Sequence, residues 1–394
     1  MNYWDRTFRR STSSKNFIPE IDGLRFLAIL TVVIFHFHFL LLKNLDGQVL
    51  LDVHTAGITS SGWWVSRLDL GVKLFFAISG FILSLPFFNQ YWFDGKKVDL
   101  KSYFIRRLTR LEPPFLVAVT GFLVVHLSVL GASFTEIFPN YLATIFYVHT
   151  SIFNEYSVIN PVTWSLETEV QFYILIPFLA AWALRPKSSK FKAIAIGLFL
   201  FFGSIYLRGL YLTENTYGMM ANISGFLSHF IIGILFAYLY LTQKVWLGKK
   251  NFSWDIIGLI SLFGLFFWYK PQDSFIRQVF FNTSIFLLLI SAFKSWSLNW
   301  FLTRQWVYLI GGMCYTIYLL HLPFFGLVAQ FVQKNTAANT FSGNFWIYFF
   351  PAVFTLLIIS SGFYLLIEKP CMERDWHIKL LNKMSFVKSK KIKA

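Results

Sequence analysis

Ten apolar runs, at residues 24–42, 71–88, 114–131, 170–184, 193–211, 223–242, 253–269, 278–293, 306–330 and 345–367, leave this 394-residue chain few ways to fold. An apolar run of about 17–25 residues crosses a ~30 Å hydrocarbon core as a helix, because in lipid the backbone must pair its own polar groups. The 56% hydrophobic content, with only 14% charged residues, is more apolar than a soluble core needs. The expectation is an all-α polytopic membrane protein built as a bundle of about ten transmembrane helices. A shorter run, residues 141–148, is too brief to span and is expected to be re-entrant or interfacial.

Basic residues test that count, since cytoplasmic loops collect lysine and arginine. With the N-terminus inside, the cytoplasmic segments hold 27 of the 35 basic residues and the external segments five; Arg25, Lys73 and Arg208 lie within helix ends. Adding or removing one helix would invert part of this split, so both termini are expected to be cytoplasmic. The chain divides into a cytoplasmic N-terminal arm at 1–20, a transmembrane domain at 21–370 and a basic cytoplasmic tail at 371–394, whose charges also suit anionic membrane lipids.

The net charge of +16 invites a nucleic-acid reading, but that reading needs basic residues gathered on a polar folded domain, and none is visible. Cys314 and Cys371 offer no disulfide framework, and the arm lacks the apolar core of a signal peptide. No metal site is expected, because no zinc-ligand spacing is present; a glycine-rich phosphate loop and a nucleophile elbow are also missing.

The first run carries Arg25 and His36. Eleven steps of about 100° bring both side chains to one helical face, roughly 16 Å apart along the axis, so one marks the membrane edge and the other its middle. Ionisable groups at that depth normally face a bundle interior or a partner and are candidates for function. His38, turned by roughly 200° from His36, suits a structural hydrogen bond instead.

Arg106, Arg107 and Arg110 stand just before Glu112 and the Pro113–Pro114 pair. Positive-inside anchoring explains many basic loops, yet three forked donors within a turn and a half also suit phosphate. The prolines cannot continue a helix from upstream, so the arginines are expected to end one element where a spanning helix begins.

The external segment at 132–168 carries acidic residues without lysine or arginine and runs into Trp164, Ser165, Glu167 and Glu169. Ser165 and Glu169 are i,i+4 neighbours on one face; Glu167 points elsewhere and suits solvent as well as function. Glu169, a turn into the apolar run, favours a functional role. Ser79–Gly80 in the second run favours close helix packing. Tyr318 and His321 in the ninth are i,i+3 and fit ligand contact and structural hydrogen bonding equally.

Arg25 with His36, Arg107 with Arg110, Phe75 to Phe81, Trp164 to Glu169 and Tyr318 to His321, in that order and spacing, resemble the acyltransferase 3 family of integral-membrane O-acyltransferases, whose bacterial members include O-acetylases of lipopolysaccharide and other surface glycans. The resemblance runs from Glu20 to about Pro370. Two positions depart from it: Lys73 stands where an acidic residue is often found, and Val170 where a second glutamate often follows.

The resemblance implies a bacterial inner-membrane enzyme that moves an acyl group, acetyl as first choice, from cytoplasmic acyl-CoA to a hydroxyl of a cell-surface or lipid-linked glycan. It implies that Arg25, Arg107 and Arg110 hold the donor phosphates, that His36 acts as base or nucleophile and Glu169 as its orienting or charge-stabilising partner. Ser79, Trp164, Ser165, Tyr318 and His321 become candidates for substrate contact. Relatives often append an extracytoplasmic esterase-like domain. None follows the last apolar run here, so either direct transfer or a separate extracytoplasmic partner is expected to finish the reaction. A glycan or lipid exporter, or an acyltransferase for a small molecule at the cytoplasmic face, are the alternatives; an exporter would favour internal repeats, and none is apparent.

Overall fold

The computed structural model describes residues 3–11, 17–45, 61–93, 95–184, 190–213, 221–269, 274–373 and 376, and regular structure among them is wholly helical. The helices that matter for the site are, in chain order, α1 (Tyr3–Phe8), α2 (Pro19–Asn44), α3 (Leu70–Trp92), α4 (Leu100–Ser128), α5 (Phe134–Ile145), α6 (His149–Phe153), α7 (Thr163–Ala183), α8 (Lys190–Thr213), α9 (Ile223–Thr242), α10 (Ser253–Trp268), α11 (Phe275–Lys294), α12 (Gln305–Gly312), α13 (Cys314–Lys334) and α14 (Phe341–Phe363).

Each of the ten apolar runs is helical, and eight helices among the described residues are long and apolar enough to cross a membrane: those built on α2, α3, α4, α8, α9, α11, α13 and α14. The runs that fall short do so for different reasons. α7 opens with the polar Ser165, Glu167, Thr168 and Glu169, and α10 has only 16 residues. The short run at 141–148 belongs to α5, a 12-residue helix followed by the five-residue α6.

Packing follows the rule for helices in lipid, where small residues allow backbones to touch. A β-carbon added at Gly80 of α3 would collide with the Phe230 carbonyl of α9, and one at Gly233 with the Ala77 carbonyl of α3. Phe230 then stacks between Phe76 at 4.8 Å and Phe172 of α7 at 4.1 Å. A second close approach joins α12 to α2, with Gly311 against the Asp22 carbonyl. Toward the other end of α2, Phe37 meets Phe325 of α13 edge-on at 5.2 Å. The result surrounds the inner faces of α2, α3, α4, α7 and α13.

Two expectations from sequence are corrected. α4 runs unbroken through Pro113 and Pro114, so the arginines lie in the first half of a helix rather than at the end of a separate element. Pro113 removes the N–H that would reach the Thr109 carbonyl, and the Trp376 indole donates to that carbonyl instead, at 2.9 Å. The run at 306–330 is two helices that break at Met313, immediately after Gly311–Gly312. Two glycines weaken the helix there, and the same absence of side chains lets α12 close on α2. Residues 377–394 of the tail lie outside the described residues.

Candidate active site

Helix α7 sets the spacing of the site. Ser165, Glu169 and Tyr173 follow one another at i, i+4 and i+8, which puts them on one face over roughly 12 Å. The Ser165 and Tyr318 hydroxyls are 2.7 Å apart and share the Val162 carbonyl. A turn along, Ser79 of α3 donates to Glu169 Oε1 at 2.5 Å. After another turn, the Arg107 guanidinium lies 5.8 Å from the Tyr173 ring centre and 5.7 Å from that of Tyr103. Ser79, Arg107, Ser165, Glu169, Tyr173 and Tyr318 line one cavity, whose walls also include Arg10, Arg25, Arg110 and Glu368.

At its cationic end, Arg25 donates to Asp22 at 2.5 Å, an i,i+3 pair on α2. Arg10 lies 3.5 Å from the same carboxylate oxygen. Glu368 is 1% exposed and accepts from the Thr316 hydroxyl at 2.5 Å. It is carried by a π-helical turn, Tyr364–Glu368, that continues α14; such turns often mark functional sites. Four arginines against two carboxylates leave this end positive, with forked donors suited to phosphate oxygens.

His36 lies outside the cavity wall, but it is joined to a residue next to it. Its Nδ1 is 2.9 Å from His321 Nε2, while His321 Nδ1 is 2.8 Å from the Tyr318 carbonyl and 3.1 Å from that of Ile317. Carbonyls only accept, so His321 Nδ1 carries a proton and, in a neutral ring, Nε2 is left to accept. The proton between the rings therefore belongs to His36 Nδ1, an assignment made from these partners. His36 Nε2 then holds a lone pair free to take a proton. His321 is fully buried, and its ring centre is 5.6 Å from that of Tyr318. His38 faces Phe341 and Phe345 at 5.0 and 6.0 Å, apart from this pair.

Of the residues singled out from sequence, Arg25, Ser79, Arg107, Arg110, Ser165, Glu169 and Tyr318 line the cavity together. Gly80 packs as expected, while its neighbour Ser79 faces the cavity. Trp164 packs between Phe226 at 5.3 Å and Tyr156 at 6.2 Å, away from the cavity wall. Glu167 is not solvated: it is 2% exposed and accepts from the Thr150 and Ser151 amides and the Ser151 hydroxyl, holding the start of α6 against α7. Lys73 pairs with Asp69 at 2.8 Å and Tyr269 at 2.6 Å, outside the cavity. Sequence reasoning passed over Arg10, Asp22, Tyr173 and Glu368. Of these, Asp22, three residues before Arg25, and Tyr173, four residues after Glu169, carried a readable signal.

Among the described residues no group of three or more His, Cys, Asp or Glu side chains could hold a metal ion. No solved structure is significantly similar to the chain. The chain is 27% identical to the O-acetyltransferase OatA of Staphylococcus aureus (strain NCTC 8325 / PS 47), over 92% of its own length and 58% of the relative's. It is 25% identical to the peptidoglycan O-acetyltransferase OatA of Listeria monocytogenes serovar 1/2a, over 83% of its length and 53% of the relative's. The chain thus spans little more than half the length of these relatives. A family profile described as an acyltransferase domain matches residues 18–365. With that match spanning most of the chain, from α2 to the π-helical turn, this multi-pass membrane protein belongs to the acyltransferase 3 family.

Proposed function

We propose that the protein is a membrane-embedded O-acyltransferase that takes an acyl group, acetyl as first choice, from acyl-CoA and transfers it to a hydroxyl of a cell-surface or lipid-linked glycan. The observation that carries this reading is the single cavity with four arginines at one end and the Ser79–Glu169 and Ser165–Tyr318 pairs beyond them. The names of the relatives support an O-acetyl group, and the Listeria relative's name supports a glycan acceptor.

In this reading Arg25, Arg107 and Arg110 bind the donor phosphates from the cytoplasmic side, and the thioester arm extends along the cavity toward the hydroxyl end. With the acceptor hydroxyl held beside the His36–His321 pair, at the Tyr318 edge of the cavity, His36 Nε2 takes its proton as its oxygen attacks the thioester carbonyl. The carbon–sulfur bond breaks, and the departing thiolate recovers the proton from the imidazolium, leaving an ester and a free thiol. Glu169 orients polar groups through Ser79 and offsets positive charge. The reading places the protein in the bacterial inner membrane, with acceptor transfer either direct or completed by a separate extracytoplasmic partner.

Mass analysis of cell-surface glycans from cells with and without the gene, paired with thiol release from acetyl-CoA by the purified protein, tests the proposal. Gene-dependent O-acyl groups and acceptor-dependent thiol release are expected. Unchanged glycan and no thiol release with any glycan fraction would overturn it.

A further inference from the structure

The cationic end of the cavity includes a charge delivered from outside the helical bundle. Arg10 follows α1 in the N-terminal arm, yet its side chain is only 9% exposed and it lines the same wall as Arg25 and Arg110. The arm is fastened at several points. Tyr308 of α12 donates to Asp5 at 2.7 Å, the Lys369 ammonium donates to the Arg6 and Thr7 carbonyls at 2.7 and 2.6 Å, and the Arg9 guanidinium lies 3.9 Å over the Phe17 ring. Arg10 then sits over Gly312, where an added β-carbon would come within 3.9 Å of its side chain.

The local charges are not balanced. Asp22 is engaged closely by Arg25 at 2.5 Å and only at 3.5 Å by Arg10. The Nε atoms of Arg10 and Arg110 are both buried without a hydrogen-bond partner. Burial, reinforced by the nearby Arg25, pushes the Arg10 guanidinium below its ordinary value, so its charge is held at a cost that a bound anion would relieve. Arg10 and Arg110 line the same cavity, and their guanidinium forks suit a phosphate ester or pyrophosphate, which offers several acceptor oxygens in forked geometry.

We infer that Arg10 is a phosphate-binding residue of the donor site, and that residues 3–11 of the N-terminal arm form a wall that completes this site. The inference rests on the reading of the cavity as an acyl-CoA site. Because binding and arm docking share Arg10, a phosphate-bearing ligand must strengthen docking by the same factor that docking strengthens binding.

The test uses the full-length protein in detergent with CoA and dephospho-CoA as probes, following binding by calorimetry and arm docking by the rate of tryptic cleavage within residues 1–20. Arg10→Gln is expected to weaken CoA binding about tenfold, in line with loss of a charge-assisted contact. Arg10→Lys, which keeps the charge and loses the fork, is expected to fall between Arg10→Gln and wild type. CoA should slow cleavage of the wild-type arm and leave the Arg10→Gln arm unprotected. An Arg10→Gln protein that elutes as wild type and binds CoA within twofold of it overturns the inference, as does an Arg10→Lys protein indistinguishable from wild type. If Arg107→Ala/Arg110→Ala weakens CoA while Arg10→Gln does not, only the arm's role falls. If neither does, the donor reading falls with it.

Discussion

Replacing His321 by alanine removes the side-chain acceptor for the His36 Nδ1 proton, beside the Val32 carbonyl that the ring also meets, while leaving the arginines untouched. The hydrogen bond at 2.9 Å is worth about 0.5–1.5 kcal/mol net, which corresponds to a roughly 2- to 13-fold bias toward the His36 tautomer with Nε2 free. Loss of ring orientation adds to this, and a misassigned tautomer in a serine-protease triad costs about 10⁴-fold, an upper bound for a ring less completely held. The expected outcome is a fall of about 10–100-fold in kcat with the donor KM unchanged. His321→Gln, which offers a carbonyl oxygen near the same position, should recover part of the loss. Initial rates of thiol release from labelled acetyl-CoA in proteoliposomes, with a glycan acceptor in excess, measure both constants. A kcat within twofold of wild type, or a loss that appears in KM alone, would refute the idea that His321 sets the proton on His36.

Arg107→Ala and Arg110→Ala should each weaken acyl-CoA binding by about 1.5–3 kcal/mol without disturbing insertion, since Lys96, Lys97, Lys101 and Arg106 still mark that segment; calorimetry on the purified variants measures it, and unchanged affinity returns both residues to topological anchoring. Glu167→Ala leaves the Thr150 and Ser151 amides without their acceptor, so thermal unfolding should move down by the equivalent of about 1–3 kcal/mol per unpaired donor, with donor affinity retained. Cysteine labels at Lys97 and Asn154 should report opposite sides of the membrane, and labelling from one side would break the topology drawn from the basic residues.

Periodicity within one helix was legible; contact between helices was not. Arg25 and Asp22, or Ser165 and Glu169, are separated by three or four residues, so helical geometry alone puts them on a common face. Ser79 and Glu169 are 90 residues apart, and His36 and His321 are 285 apart. No spacing rule links such pairs, although each member stood out within its own helix. Arg10 was hidden because a basic arm before a first spanning helix is already explained by topology. Pro113 misled because the Thr109 carbonyl it leaves unpaired is met by Trp376, 267 residues further along the chain from Thr109. Gly311–Gly312 lies inside an apolar stretch whose hydropathy gives no sign that the helix breaks there, and the break becomes intelligible only once the Asp22 carbonyl is seen beside Gly311.

The central claim is that His36 performs the chemistry while the arginine end holds the donor. The direct measurement is acyl transfer and acyl-CoA affinity in the same purified preparations of wild type, His36→Ala and His38→Ala. The account predicts that His36→Ala binds acyl-CoA with near wild-type affinity and loses at least about 10²–10⁴-fold in turnover, as expected for a removed general base. His38→Ala, whose ring packs against Phe341 and Phe345, should retain most of its activity. Near wild-type turnover in His36→Ala would contradict the account.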